Sequence, residues 1–181
     1  TIKTNDMKIK LTTLVVLLIG STVFAQKDWT QLTQDGFAIS YPKDWVSSDQ
    51  KPQPSMQFLL MSDEKSQIND KFRENINLTL EDLGGQTLSL EDYAKISLEQ
   101  ITTQIPSAKV IVNETTKIND YEARSVIWSA DFGNGMVLKF KQVFILNGGM
   151  AYVLTFSSTS AEYNDYIEVG DKILNSFKLA K

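Results

Sequence analysis

The side chains best able to carry out chemistry in this 181-residue sequence are carboxylates, because the sequence contains no cysteine and no histidine. Those two absences remove Ser-His-Asp and Cys-His nucleophiles and the usual ligands of zinc, copper and haem. Neighbouring carboxylates occur at Asp63–Glu64, Glu81–Asp82 and Glu91–Asp92. Glycoside cleavage needs two carboxyl groups facing one bond, whereas adjacent residues diverge on a strand or a helix. We therefore expect no catalytic residues and no enzymatic activity.

Two further kinds of site are weakly indicated. A calcium site needs several oxygen ligands in a short loop. Oxygen-bearing side chains occur at loose spacing at Asp63, Glu64, Asn69 and Asp70. Ser-Lys chemistry would use Lys139 or Lys141, which share one face of a predicted strand, but no partner serine is marked. No glycine-rich phosphate loop is present. The sequence therefore predicts no metal and no cofactor.

The most distinctive polar pattern is a stripe on one predicted strand, formed by Asn75, Asn77, Thr79 and Glu81. These residues alternate with Ile76, Leu78 and Leu80, so the two sets face opposite sides of a sheet. One side is predicted to be buried and the other to contact solvent or a partner. We take the four polar residues as a candidate binding surface, with the loops 43–55 and 63–73 as its rim.

The elements that would position this stripe follow from hydrophobic periodicity. Strands are predicted at 29–34, 37–41, 57–62, 75–81, 109–115, 121–131, 136–146 and 150–157, and helices at 89–105 and 160–177. Asn-Gly turns between alternating segments predict hairpins, so the last four strands form a meander. The fold class is α+β: an antiparallel sheet of about six to seven strands packed by helices.

Several residues refine this prediction. Ser89 with Asp92, and Thr159 with Glu162, have capping-box spacing at the two helix starts. Gly170 lies on the apolar stripe of the second helix, which predicts a close approach of that helix to the sheet. Trp45 and Trp128 are expected to pack in the core rather than to form an aromatic binding surface.

The beginning of the sequence has the pattern of a secretory signal. From Met7, a short basic region precedes an apolar run, and Val23 and Ala25 occupy the −3 and −1 positions before a cleavage site at Gln26. The run is too short for a comfortable membrane span, although an uncleaved anchor is the alternative. We expect residues 7–25 to be the signal, 1–6 to be upstream residues, and 26–181 to be one domain.

Charge constrains the partners of that domain. Residues 26–181 carry 15 basic and 21 acidic side chains, a net charge of −6, without a basic cluster. Such a domain is poorly suited to nucleic acid or to anionic membranes. We expect no nucleic acid, no stable membrane insertion after cleavage, and a periplasmic or extracellular location. The oligomeric state stays open.

Four segments resemble one known family. They are Gly36-Phe37 with Ile39, Tyr41-Pro42 and Trp45; the helix start Thr87 to Tyr93; Tyr152 to Phe156; and Ile173 to Phe177. In these segments, and over Gln31 to Leu179 as a whole, the chain resembles the PsbP-like family, whose PsbP/Mog-type fold is an α+β sandwich. The resemblance implies a small exported bacterial member.

Members of this family act as extrinsic subunits, adaptors or binding modules and mostly lack enzymatic activity. Some photosynthetic members have metal sites that use histidine, and this chain has none. The resemblance therefore implies a non-catalytic accessory module that binds another envelope or secreted protein. The alternatives are a small-ligand carrier with a pocket between sheet and helix, and a carboxylate-dependent hydrolase.

Overall fold

The structure is a computed structural model that describes residues 28–68 and 72–180. The predicted signal at 7–25 and the upstream residues 1–6 lie outside the described residues, as do Asn69 and Asp70 of the weak calcium set. Those predictions are not tested by the structure.

The described residues form ten strands, two α-helices and one 3₁₀ turn at Glu64–Ile68. The strands are β1 Trp29–Gln34, β2 Phe37–Pro42, β3 Val46–Ser47, β4 Met56–Met61, β5 Asn75–Asp82, β6 Lys109–Ile118, β7 Tyr121–Asp131, β8 Val137–Asn147, β9 Met150–Thr159 and β10 Lys178–Leu179. The helices are α1 Leu90–Gln104 and α2 Tyr163–Asn175.

Seven strands form one antiparallel sheet in the order β3-β4-β5-β9-β8-β7-β6. The predicted meander is confirmed, because β6 to β9 pair in sequence order. Its tight turns contain Asn119 and Asn134 at positive φ, a conformation that asparagine tolerates better than most residues. Strand β5 pairs with β9 in the interior of the sheet, so the chain must cross one face to reach β6 at the far edge. Helix α1 makes that crossing and covers part of this face.

A second, three-stranded sheet has the order β1-β2-β10. Strands β1 and β2 were predicted, but the two-residue strand β10 was not, because Lys178 and Leu179 are too few to show a period. The α+β architecture is as predicted, with this small sheet added to the seven-stranded one.

The face of the large sheet that packs against α2 forms the main core. Fully buried side chains from several strands and from α2 meet there, among them Ile76, Leu154, Phe156, Ile173 and Phe177. The close approach predicted for Gly170 is confirmed. A Cβ atom at this position would lie 3.1 Å from Cδ2 of Phe156, so the ring packs directly on the helix backbone.

The opposite face, which packs against α1, has a smaller core built from Tyr93, Ala94, Val126, Trp128 and Phe144. Both tryptophans predicted to pack are buried, Trp45 in the α2 core and Trp128 here. Ser89 caps α1 as predicted, since its hydroxyl accepts the Asp92 backbone N–H at 3.0 Å.

The predicted start of α2 at 160 is wrong. Thr159 still belongs to β9, where it pairs with Leu138, so α2 begins at Tyr163 and Glu162 is its N-cap residue. The Glu162 side chain makes no capping hydrogen bond. The Thr159 hydroxyl does accept the Glu162 backbone N–H at 3.4 Å, which is one half of the predicted capping box, while pairing with Leu138 keeps Thr159 in β9.

Candidate functional site

The predicted stripe lies on the α1 face of the large sheet. Asn75, Asn77 and Thr79 are partly exposed and Glu81 is exposed. Alternation placed them correctly on one face, because Ile76 and its neighbours on the other side are buried under α2. A binding role for the four residues stays a prediction.

Adjacent strands extend the polar stripe. Thr155 and Ser157 of β9 lie directly opposite Asn77 and Asn75, and Gln142 of β8 lies opposite Thr155. These three residues were missed from the sequence. Alternation within β8 and β9 carries a signal for them, but the register between strands is set by pairing and cannot be read from one strand.

Gln142 is held in a fixed orientation on this face. The indole N–H of Trp128 donates to its Oε1 at 2.9 Å, and its Nε2 donates to the Thr155 hydroxyl at 3.2 Å. Both partners are buried. The amide is therefore part of a built polar network rather than a mobile surface group.

A polar cleft lies between α1 and this face, with a volume of about 160 Å³. Its apolar base includes Phe144 and Val153, and its polar groups include Glu81 of β5, Tyr93 of α1 and Gln142. The Tyr93 hydroxyl donates to Glu81 Oε2 at 2.6 Å. The ring of Tyr93 packs edge-on against Phe144, with ring centroids 5.3 Å apart.

The chemistry of Tyr93 reflects this environment. Burial, followed by the hydrogen bond to Glu81 and its charge, raises the pKa of the phenol well above its usual range. Tyr93 is therefore a hydrogen-bond donor at physiological pH. Its hydrogen bond to Glu81 joins helix α1 to the last residue of the polar stripe on β5.

A second surface is apolar. Large hydrophobic side chains are exposed at one end of the large sheet; we call this group the apolar corner, and its members are Val110, Ile111, Phe132, Met136 and Val137. The register places them near the same end of strands β6 to β8, since Val110 pairs with Trp128 and Val137 with Asp131. Because Trp128 and Asp131 are three residues apart, Val110 lies on the α1 face and Val137 on the α2 face. Two other large hydrophobics among the described residues are exposed elsewhere, Val46 and Ile96. Five of the seven exposed large hydrophobics among the described residues thus lie near one end of the large sheet.

Ile111 and Phe132 have distinct positions in the corner. Ile111 is the extra residue of a β-bulge in the edge strand β6, and it is 53% exposed. Phe132 packs edge-on against Phe140, which stacks on Trp128 with ring centroids 4.1 Å apart. Phe132 is therefore packed on an aromatic pair formed by the half-buried Phe140 and the buried Trp128.

A groove of about 610 Å³ adjoins the corner. Met136 and Val137 form one side, and Phe72, Thr159 and Ala161 are among its other lining residues. Charged side chains are absent from this lining, within the part of the chain that the structure describes. The groove therefore combines the apolar side chains of Met136 and Val137 with the uncharged polar side chains of Asn134, Thr159 and Ser160.

The acidic pairs considered for catalysis have structural roles. Asp63 accepts the backbone N–H of Lys65, Asp82 accepts that of Gly84, and Asp92 accepts the hydroxyl of Ser89. Glu64 lies 3.9 Å from the Arg73 guanidinium. These contacts belong to turns and caps.

The lysines considered for Ser-Lys chemistry are also engaged. Lys141 forms an ion pair with Asp171 of α2 at 2.7 Å, and the Lys139 ammonium lies 4.1 Å from the Tyr163 ring centroid. Among residues 28–68 and 72–180, no three Asp or Glu residues are grouped to hold a metal ion.

The fold and this surface define a small α+β sandwich with a partly open sheet face. The sequence matches the PsbP-like protein family over residues 21–179. The chain belongs to this family. A search of curated proteins found no match to the sequence.

Solved structures of distant proteins share the fold. Cyanobacterial PsbP from Synechocystis is 14% identical, with a TM-score of 0.63 over 84% of this chain and 93% of that one. LpqN of Mycobacterium tuberculosis, involved in cell envelope biogenesis, is 12% identical, with a TM-score of 0.59 over 84% and 92%. The Ran-binding protein Mog1p of Saccharomyces cerevisiae is 7% identical, with a TM-score of 0.59 over 83% and 95%. Identities this low establish the fold alone.

Neither of the two helices that form within residues 28–68 and 72–180 is long and apolar enough to cross a bilayer.

Proposed function

We propose that this protein is an exported, non-catalytic binding module that docks on another envelope or secreted protein through the apolar corner. The observation that carries the proposal is the clustering of exposed side chains at the corner. Single exposed hydrophobics are normal on a folded domain, but contiguous patches typically mark interaction sites.

Three other observations support this proposal. The predicted signal at 7–25 supports export, and one protein of the same fold, LpqN, is involved in cell envelope biogenesis. Asp63, Asp82 and Asp92 serve turns or a helix cap, and Lys141 is in an ion pair with Asp171, which favours binding over catalysis. The net charge of −6 keeps the domain soluble while it presents an apolar surface.

The carrier alternative is less well supported. The cleft between sheet and helix has a volume of about 160 Å³, below the roughly 300–1,000 Å³ of most pockets for small molecules. The larger groove lies at the end of the sheet beside the corner rather than between sheet and helix, and its polar side chains, Asn134, Thr159 and Ser160, carry no charge. It is better suited to side chains of a protein partner.

The experiment is crosslinking and capture of the tagged protein from its native envelope and medium. The test variant is Ile111→Glu, because Ile111 is 53% exposed in the corner. The matched control is Ile96→Glu, since Ile96 is 42% exposed on α1, away from the corner. The same substitution at both positions adds the same charge to a similarly exposed site.

We expect the native protein and Ile96→Glu to recover one partner at near-equal stoichiometry. Ile111→Glu should reduce the recovery at least about tenfold, which corresponds to about 1.4 kcal/mol of binding free energy. Equal recovery with both variants would exclude the corner as the interface. Recovery of the domain alone from every sample would contradict the proposed function.

A further inference from the structure

The polar cleft under α1 has a single charged group. Among the described residues that line it, Glu81 is the one that carries a charge, and no lysine or arginine is present. The remaining polar groups are hydroxyls and amides, including those of Tyr93, Gln104 and Gln142. A ligand for this cleft must therefore be neutral or positively charged.

The hydrogen-bonding capacity of the cleft favours a donor. Tyr93 donates to one oxygen of Glu81, and within the described residues no further hydrogen bond or ion pair reaches the carboxylate. Gln142 Oε1 accepts the Trp128 indole N–H, and a carbonyl oxygen has a second lone pair. Glu81 and Gln142 therefore offer acceptor oxygens to a ligand, and their hydrogen bonds to the buried Tyr93 and Trp128 fix the orientation of these oxygens.

The size and the base of the cleft narrow the class of ligand. Its volume of about 160 Å³ suits a group the size of one side chain rather than a drug-sized molecule. Phe144 and Val153 give it an apolar base that can cover methylene groups, as lysine stems are covered at protein surfaces. The ligand should therefore combine a short alkyl chain with a positive end.

The geometry at Glu81 favours ammonium over guanidinium. A guanidinium group binds a carboxylate best through two parallel hydrogen bonds to its two oxygens. Here the Tyr93 hydroxyl already uses one lone pair of Oε2 at 2.6 Å, so a guanidinium would have to share that oxygen with the phenol. An ammonium group is a compact charge that needs one carboxylate oxygen and can reach amide oxygens with its other protons.

We propose that this cleft binds an alkylammonium group, held by Glu81 and covered by Phe144 and Val153. The group would be supplied either by a lysine side chain of a bound protein or by a free small amine. This site is formed by α1 with β5, β8 and β9 and does not depend on the apolar corner. The two proposals can therefore fail separately.

The test uses the purified protein and titrates it with n-butylammonium, followed by amide chemical shifts and by calorimetry. The uncharged probe is n-butanol, and Nα-acetyl-lysine methylamide represents a lysine within a chain. The test variant is Glu81→Gln, which keeps an acceptor for Tyr93. The control is Asp82→Asn, because Asp82 is the next residue on β5, points to the opposite side and accepts the Gly84 N–H.

We expect saturable binding of n-butylammonium, with shifts confined to residues around the cleft, and no saturation by n-butanol. Glu81→Gln should weaken binding about fivefold or more, and Asp82→Asn less than about twofold, because the charge must lie within the cleft. Binding should also weaken as salt is added.

The lysine derivative distinguishes the two sources. If it binds at least as well as the amine, the ligand is a side chain of a protein; if it is excluded while the amine binds, the ligand is a free amine. No saturation by either compound up to about 50 mM, which lies beyond millimolar affinity, would overturn the proposal. Unchanged binding to Glu81→Gln would do the same.

Discussion

The two faces of the large sheet differ in how completely helices cover them. The α2 face is closed: Phe156, Ile173 and Phe177 are fully buried, and the ring of Phe156 packs on the helix backbone at Gly170. The α1 face is only partly covered by its helix, and the stripe beside the helix is polar and partly exposed. We therefore expect packing on the α2 face to contribute more to the folding free energy than packing on the α1 face.

The largest expected effect tests this difference with one substitution made on each face. Phe156→Ala on the α2 face should lower the free energy of unfolding by about 3–5 kcal/mol, because it opens a cavity in a fully buried site. Phe140→Ala on the α1 face should cost about 1–2 kcal/mol, since Phe140 is half-buried and loses mainly its stacking on Trp128. Urea unfolding measures both. Equal losses would contradict the division between the faces.

A second prediction concerns the close contact between α2 and the sheet at Gly170. Gly170→Leu should destabilise the protein by about 1–3 kcal/mol, because a side chain at this position must displace Phe156. The control is Glu168→Leu on the exposed side of the same helix, expected within about 0.5 kcal/mol of the native protein. Thermal unfolding of the two variants tests the prediction. A Gly170→Leu variant as stable as its control would show that the contact is loose.

A third prediction concerns α1, which is fixed by its cap as well as by packing. Ser89→Ala should cost about 1 kcal/mol, because the Asp92 N–H loses its acceptor at the first turn. Thr87→Ala, two residues earlier and outside the helix, is the control and should have little effect. Amide hydrogen exchange in the first turn of α1 should increase in Ser89→Ala alone. Unchanged exchange would mean that packing of Tyr93 is sufficient to hold the helix start.

The smallest effect appears only at high pH. The pKa of Tyr93 is raised in the folded protein, so the folded state retains this proton while the unfolded state loses it above about pH 10. The contribution of Tyr93 is fully present below that pH and is lost as the pH rises toward the folded pKa. Tyr93→Phe should therefore lose less stability than the native protein above about pH 10.

The control for this experiment is a tyrosine on the other side of the sheet, Tyr163. Burial also raises the pKa of Tyr163, which lies on α2, so Tyr163→Phe should retain the part of the alkaline loss due to Tyr93. Combining both substitutions should remove more of the loss than either alone. Identical alkaline profiles for the native protein and Tyr93→Phe would contradict the assignment.

The sequence predicted much of the fold because the period of a strand is a local property. The bounds of β7 at Tyr121–Asp131 match the prediction, and the meander follows from its Asn-Gly turns. The start of α2 was missed because pairing of Thr159 with Leu138 is a contact between distant residues. Strand β10 was missed because its two residues are defined only by their partners in β2.

The candidate sites were less predictable than the fold. Alternation placed Asn77 on an open face, but Gln142 and Thr155 joined it only through the register of three strands. The contact between Tyr93 and Glu81 depends on how a helix crosses the sheet. The apolar corner depends on where the edge strand β6 begins and where the hairpin β7–β8 turns. Within its own segment, each of its residues carries no signal that distinguishes it from a core residue.

The small sheet has a consequence for the order in which the chain can fold. Strand β2 takes its second neighbour from Lys178 and Leu179, and Ser176 exchanges hydrogen bonds with the backbone of Ser40 across 136 residues. The hairpin β1–β2 therefore completes its sheet only by closing a loop that contains the large sheet and both helices, and such long-range closure is slow compared with local hairpin formation. Loss of Lys178 and Leu179 would leave this edge of β2 open.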